Sequence, residues 1–402
     1  MSETTPTEAI ENPSQQRLGS LDAYRGLAMV LMVAEATHLC RVAEHYSGSA
    51  LWKALCFHQS HVPWVGCSVH DMIQPSFSFL VGVALPFSIA SRRRRGQSMA
   101  WLSVHAFYRA LVLIVLGIFL RSMGQSRTNF TFEDTLTQIG LGYGFLFLLG
   151  LRPTRDHWIA VLLLLVGTWS AFALYPLPAD DFNYELVGVP NDWQHLKTGF
   201  EAHWNKNSNL AADFDVWFLN LFPREQPFRY NGGGYLTLSF IPTLATMILG
   251  LIAGGFLSSQ RSSAEKLIRM AATGAICLVV GYGLGAMGVC PIVKRIWTPS
   301  FVLVSGGWCL LTLALLYIVI DIWRFSRWAF PLIVVGMNSI TIYVMSWTMK
   351  GFVKDSLHTH LGAPVTQALG QPLEPLVVGL LILTVFWLIL YWMYRRRIFL
   401  RI

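Results

Sequence analysis

Ten stretches of this chain are apolar enough and long enough to cross a bilayer, and each is closed by a polar or proline-bearing boundary. They cover residues 21–40, 71–90, 104–122, 135–149, 157–175, 235–257, 267–287, 301–320, 328–349 and 373–394. The pattern predicts an all-α polytopic membrane bundle of about ten transmembrane helices. An even count puts both chain ends on one side. Residues 1–16 read as a disordered tail and 17–402 as the membrane domain, interrupted by one long loop over 176–234. The polar start lacks an apolar core followed by a cleavage site, so the first span is expected to remain in the mature protein.

Composition agrees with this picture, because only 13% of residues are charged and 54% are hydrophobic. The formal net charge of +8 does not point to nucleic acid. Its cations sit in short clusters between apolar runs: Arg92 to Arg95, Arg152, Arg155, Arg261, Lys266, Arg324, Arg327 and Arg395 to Arg397. Cytoplasmic termini would put all of these inside, as the positive-inside bias requires. The loop over 176–234 then lies outside, together with a segment carrying His58, His61, His70 and Asp71. The expected location is a bacterial cytoplasmic membrane.

Gly283, Gly285 and Gly288 spell a dinucleotide-binding pattern, but it lies inside an apolar span and not between a strand and a helix. Gly281 with Gly285, and Gly250 with Gly254, read instead as small surfaces where helices approach closely. The six cysteines form no C-x-x-C pair and say little about redox state.

The titratable groups crowd one place. His61 can take a proton from an ammonium or carry an acyl group at neutral pH; the alternative is an interfacial histidine bonded to a loop carbonyl. Asp71 can orient an imidazole or serve as a helix N-cap, and His58 can assist from one turn away. Glu35 falls within the first span, where a buried carboxylate needs a partner or a function. Asp22 and Arg25 share one helix face and can pair, or contact a coenzyme. Asn338 needs amide partners in an apolar setting, across helices or on a ligand. Lys294 and Trp297 look like interfacial anchors. The histidines and Asp71 could hold zinc, but the spacing carries no metal signature and no metal is expected.

Several blocks, in order, resemble the heparan-α-glucosaminide N-acetyltransferase family, in its bacterial branch. They are Arg17, Ser20, Leu21, Asp22, Arg25 and Gly26; His61, Trp64 and Gly66; Asp71, Pro75, Phe77, Phe79 and Gly82; residues 241–250; Lys294, Trp297, Thr298, Pro299, Ser300 and Phe301; and Gly336, Met337, Asn338, Ser339 and Ile340. The resemblance implies a membrane enzyme that moves an acetyl group from cytoplasmic acetyl-CoA, its cosubstrate, to an amine of an amino sugar on the opposite side. It implies His61 as the catalytic histidine; from their own chemistry, Asp71 and Glu35 are read as catalytic residues beside it. His58, Trp64, Asn338, Trp297 and Lys294 fall on the substrate side, and Arg25 and Asp22 on the coenzyme. The partners implied are acetyl-CoA, an amino-sugar or glycan acceptor, membrane lipid and a second copy of the chain as a homodimer. The chain departs from the family pattern near the outer end of the first span, carrying Glu35 and Ala36 where the family has an asparagine.

Two other readings stay open. One is a small-solute transporter using Glu35, Asp71 and Asn338, and the other is acyl transfer to a lipid-linked or cell-wall glycan. The outer loop contains Trp193, Trp204, Asn205, Lys206, Asn207, Asn209, Asp215 and Trp217, a composition suited to saccharides and equally to a self-packed lid.

Overall fold

The computed structural model describes residues 18–400, so the expectations for residues 1–16 and Arg17 fall outside the described residues. The protein is an all-α polytopic bundle. Seven helical segments are long and apolar enough to cross a membrane: His70–Arg94, Met99–Ser122, Thr154–Ala173, Thr237–Ser258, Ser263–Ala286, Pro299–Ile322 and Gln371–Arg395. Two more spans are bent pairs, and Thr135–Gly150 is a shorter apolar helix. All ten predicted segments are therefore helical.

In chain order the helices are α1 (Gly19–Val33), α2 (Leu39–His45), α3 (Ala50–Gln59), α4 (Ile73–Arg94), α5 (Met99–Ser122), α6 (Thr135–Gly150), α7 (Thr154–Ala173) and α8 (Leu210–Leu219). They continue with α9 (Phe240–Ser258), α10 (Ser263–Ala286), α11 (Pro299–Leu316), α12 (Phe330–Gly336), α13 (Ser339–Thr348), α14 (Lys350–Thr366) and α15 (Glu374–Arg395). Local chemistry sets their ends. Asp134 caps α6 through the Leu136 and Thr137 amides, and Thr298 caps α11 with Pro299 in its first turn. Gly96, at φ +75°, stops the chain after α4.

Spans one and nine differ from the unbroken helices expected. The first bends by 44° between a short 3-10 turn, Ala34–Thr37, and α2, with His38 left-handed at φ +45°. The ninth bends by 66° between α12 and α13, at Met337 and Asn338. The first break changes the reading of Glu35, which is exposed in the 3-10 turn and is not a carboxylate buried in a continuous span. Cys40 and Cys56 form a disulfide that joins α2 to α3, a pairing without a motif to announce it.

Glycines let the central helices touch backbone to backbone. A methyl group on Gly250 would overlap the Phe79 carbonyl, and one on Gly254 the Val83 carbonyl, which fixes α9 against α4. Gly26 and Gly336 do the same between α1 and α12, against the Leu332 and Asp22 carbonyls. Gly281 packs on Val304 of α11, whereas Gly283 has nothing within 4 Å. Helix packing here is therefore carried by Gly281, while within the G-x-G-x-x-G run only Gly285 has a neighbour, the Ile292 side chain.

A second, smaller core caps one end of the bundle, built from Trp64, Phe172, Trp204, Leu236, Cys290, Val293 and Ile296. It is assembled by three connections: the segment before α4, the long loop over 176–234, and the turn between α10 and α11. The long loop is largely self-packed. Trp204, Asn205, Lys206, Asn207, Asn209 and Asp215 are buried, and Lys206 lies 4.9 Å from the Trp193 ring. Trp217 remains exposed. The opposite end of the bundle carries Arg92 to Arg95, Arg152, Arg155 and Arg395 to Arg397.

Candidate active site

The site forms where the second core pulls two distant loops together. Val65 bridges Val293, and the Gly66 amide donates to the Ile292 carbonyl at 2.8 Å. Gly66 has φ +124°, a conformation that favours glycine. Arg295 adds a brace, donating to the Gly233 carbonyl at 2.5 Å and the Val62 carbonyl at 3.4 Å, with its guanidinium 5.1 Å from the Tyr235 ring. These ties bring Lys294 to His61 across 233 positions of sequence.

Asp71 organises the cluster. Its carboxylate is fully buried and lies 2.7 Å from His61 Nδ1, and it accepts from the Val62 amide at 3.2 Å and the Ser68 amide at 3.0 Å. The Ser68 hydroxyl lies 3.0 Å from the same carboxylate oxygen and 2.6 Å from the Ser60 carbonyl. Asp71 is therefore not the N-cap of span two. Its acceptor capacity is spent on the loop that holds His61.

A carboxylate at Nδ1 fixes the imidazole tautomer with the proton on Nδ1 and the lone pair on Nε2. Burial lowers the His61 pKa from its ordinary value, with the Lys294 and Arg295 cations acting in the same direction against the pull of Asp71. The neutral form of the ring is consequently favoured. Its side chain keeps 35% of its exposure, so the imidazole is only partly covered. The His70 ring lies 4.5 Å away. Lys294 Nζ sits 3.1 Å from His61 Nδ1, 3.4 Å from Nε2 and 3.7 Å from Asp71 Oδ1, in a side chain only 5% exposed. Burial pushes its pKa down to about 8. Lys294 is thus a buried member of the cluster and not an interfacial anchor.

Other sequence candidates fall elsewhere. Trp64 is 1% exposed and donates to the Trp204 carbonyl at 3.0 Å, so it has no free face for a substrate. Trp297 is likewise buried, donating to Thr246 Oγ1 at 3.1 Å. The amide of Asn338 is spent on the Ile398 carbonyl and the Leu400 amide, where it ties the chain after α15 to the break in span nine. His58 is exposed and its Nδ1 faces the Val69 amide at 3.4 Å. Glu35 lies apart from the hydrogen-bonded cluster, within electrostatic reach of His70. No set of three metal-ligating side chains occurs among the described residues.

A second feature opens from the arginine end. A cavity of about 710 Å³, in the range of sites for small ligands, is lined by Asp22, Arg25, Met29, Phe77, Arg94 and Arg109, among others. Along α4 it reaches from Arg94 to Phe77, roughly 25 Å at the helical rise. Asp22 and Arg25 pair at 3.3 Å on its wall. Arg109 donates to the Tyr143 hydroxyl at 3.2 Å, while its buried Nε has no acceptor. A cationic rim and an unsatisfied guanidinium nitrogen suit an anionic, elongated ligand. His61 is not part of this wall, and His70 lies about 10 Å of helix beyond Phe77.

Fold and site together define a polytopic helical membrane protein with an Asp–His–Lys cluster at one mouth and a cation-rimmed cavity at the other. No protein-family model matches the chain. It is 26% identical over 368 residues to the human heparan-alpha-glucosaminide N-acetyltransferase, covering 82% of this chain and 52% of that protein. To the mouse protein of the same name it is 24% identical over 374 residues, covering 82% and 53%. The chain spans about half the length of the curated relatives it matches. This similarity agrees with the resemblance carried by the ordered blocks of the sequence.

Sequence reasoning missed Gln59, Ser68, Arg109 and Arg295. Ser68 had one signal, a Ser-x-x-Asp turn directly before an apolar run. The others carried none.

Proposed function

We propose that the protein is a membrane acetyltransferase that uses acetyl-CoA from the cytoplasmic side to acetylate an amine of an amino sugar on the other side. The observation that carries this reading is His61, held through Nδ1 by the buried Asp71, partly exposed and beside the Lys294 amine. Such a base takes the proton of an attacking amine, as general-base catalysis requires. Similarity to the two mammalian enzymes supports the reaction type.

In this reading the arginine end is cytoplasmic and both termini lie inside, in a bacterial cytoplasmic membrane. The Cys40–Cys56 disulfide at the opposite end favours that orientation, because disulfides persist in oxidising compartments. The donor's phosphates meet Arg25, Arg94 and Arg109 at the cavity, and its thioester arm travels past Phe77 toward His61. The stretch between Phe77 and His70 opens for that passage. Asp71 holds the ring, His61 receives the amine proton, and the thiol leaves inward.

The breaks in spans one and nine also resemble the discontinuous helices of transporters, so the assay must distinguish the two. Labelled acetyl-CoA is supplied on the arginine side of proteoliposomes and glucosamine on the other. N-acetylglucosamine formed by wild type and not by His61→Ala supports the reading. Glucosamine flux without acetylation refutes it.

A further inference from the structure

We propose that Lys294 is an internal acyl acceptor: when no amine substrate is bound, the protein acetylates the Nζ of its own Lys294. The inference rests on the acyltransferase reading above, because it uses the same donor and the same base. Its own support is positional. Nζ lies 3.4 Å from His61 Nε2, the nitrogen that carries the lone pair once Nδ1 donates to Asp71 at 2.7 Å. Nζ is also 3.1 Å from Nδ1, so it rests against the ring, and a rotation about the terminal bonds of the lysine brings it into line with the Nε2 lone pair, the relation an acceptor amine must have to its base. The primary amine is 5% exposed and 5.5 Å from the Tyr235 ring, so it is held out of bulk water.

Burial supplies the second requirement, a nucleophilic nitrogen. With its pKa near 8, roughly a tenth of the Lys294 side chains carry a free amine at pH 7, against far below a hundredth for an ordinary lysine. The step balances without any further reactant. The Nζ lone pair attacks the thioester carbonyl carbon, the carbon–nitrogen bond forms and the carbon–sulfur bond breaks. The amine proton passes to His61 Nε2 and from there to the departing thiolate, giving acetyl-Lys294 and the coenzyme thiol.

The product amide is uncharged, so Asp71 loses the cation at 3.7 Å and an acetyl group fills the space beside the ring. The site would be silenced by its own donor whenever acceptor runs out. An amine substrate competes with Lys294 for the same carbonyl and protects the enzyme.

The test uses the purified full chain in nanodiscs with isotope-labelled acetyl-CoA, with and without glucosamine, read by peptide mass spectrometry. Lys206 is the internal control, since it is equally buried at 6% exposure yet its Nζ faces the Gly188 carbonyl and no base. The expected result is label on Lys294, at least tenfold above Lys206 and the exposed Lys354, reduced at least tenfold by glucosamine and at least a hundredfold by His61→Ala. Equal labelling of all lysines, or labelling that survives His61→Ala, means unassisted chemical acetylation and overturns the proposal. Lys294 left unlabelled without glucosamine, by protein that acetylates glucosamine when it is supplied, overturns it while the proposed function stands. If neither is labelled, both fall.

Discussion

Replacing Asp71 with Asn tests the core of the mechanism, because the change keeps the shape and removes the charge. In Asp71→Asn the one remaining oxygen can still accept from the Val62 and Ser68 amides, at 3.2 and 3.0 Å in the native site. The new amide nitrogen then faces His61 Nδ1, 2.7 Å from the carboxylate in the native site. An NH2 group there can only donate, so Nδ1 must accept and the ring proton moves to Nε2. The lone pair required of the base is gone. Inverting a tautomer in this way costs about 10⁴-fold in turnover in comparable triads, or roughly 5.4 kcal/mol of barrier. Stability falls as well, since Lys294 is left buried without the carboxylate at 3.7 Å, a loss of about 3–5 kcal/mol for a broken buried pair. The assay is acetyl transfer to glucosamine in proteoliposomes, with thermal unfolding in detergent to verify that the variant is folded. A folded Asp71→Asn protein that retains more than a tenth of wild-type turnover refutes the orienting role. Should the variant not fold, Asp71→Glu keeps the charge and shifts the carboxylate by one methylene; full activity there would refute the geometric argument equally.

Four further outcomes follow from the same structure. Gly336→Ala drives a methyl group into the Asp22 carbonyl and should destabilise by about 3 kcal/mol or more, whereas Gly283→Ala, with open space around it, should leave the detergent melting temperature unchanged. Arg94→Ala should raise the KM for acetyl-CoA by roughly tenfold with kcat preserved, the loss of one charge-assisted contact at the cavity rim. His61 has a folded pKa below its ordinary 6.5, so its contribution to stability is full above 6.5 and is lost as pH falls through the folded value; acceptor kcat/KM should show an acid limb below 6.5 that His61→Gln lacks. Cys56→Ser opens the 16-residue crosslink between α2 and α3 and should cost about 3 kcal/mol by chain entropy, read as an earlier unfolding transition.

How much of this is legible in the sequence depends on what each residue's role requires. Hydropathy alone locates all ten apolar segments, because burial in lipid is a property of a whole stretch. It cannot show the breaks at His38 and Asn338, where a single residue's backbone changes and the mean hydropathy does not. For that reason Glu35 reads as buried in the sequence and stands exposed in the structure. The His61 and Asp71 pairing is within reach, since ten positions and one turn separate them. Lys294 is not, because its approach depends on a bridge between Val65 and Val293 that no local pattern encodes. Trp64 and Trp297 look like interface indoles in sequence, and only the packing around them reveals that both rings are enclosed. Asp22 and Arg25 are the opposite case: three positions apart on a helix, they share a face by local geometry alone, and that face lines the cavity.

Besides the span of α4, which runs from the cavity to His70 and Asp71, α1 also connects the two ends of the molecule. Asp22, Arg25 and Met29 of α1 line the cavity, and the 3-10 turn that ends the same span is gripped by Gln59. That side chain donates to the Ala34 carbonyl and to Thr37 Oγ1, both at 2.7 Å, and accepts from the Leu39 amide at 2.6 Å. Two of these bonds, to the Ala34 carbonyl and from the Leu39 amide, meet backbone groups at the break and so help the span to bend there. Gln59 stands two residues before His61. The span of α1, which lines the cavity, is therefore hydrogen-bonded, through Gln59, to the segment that carries His61. The break in span one thus stands between the cavity wall and the His61 loop, and Gln59 holds it from a position two residues before His61.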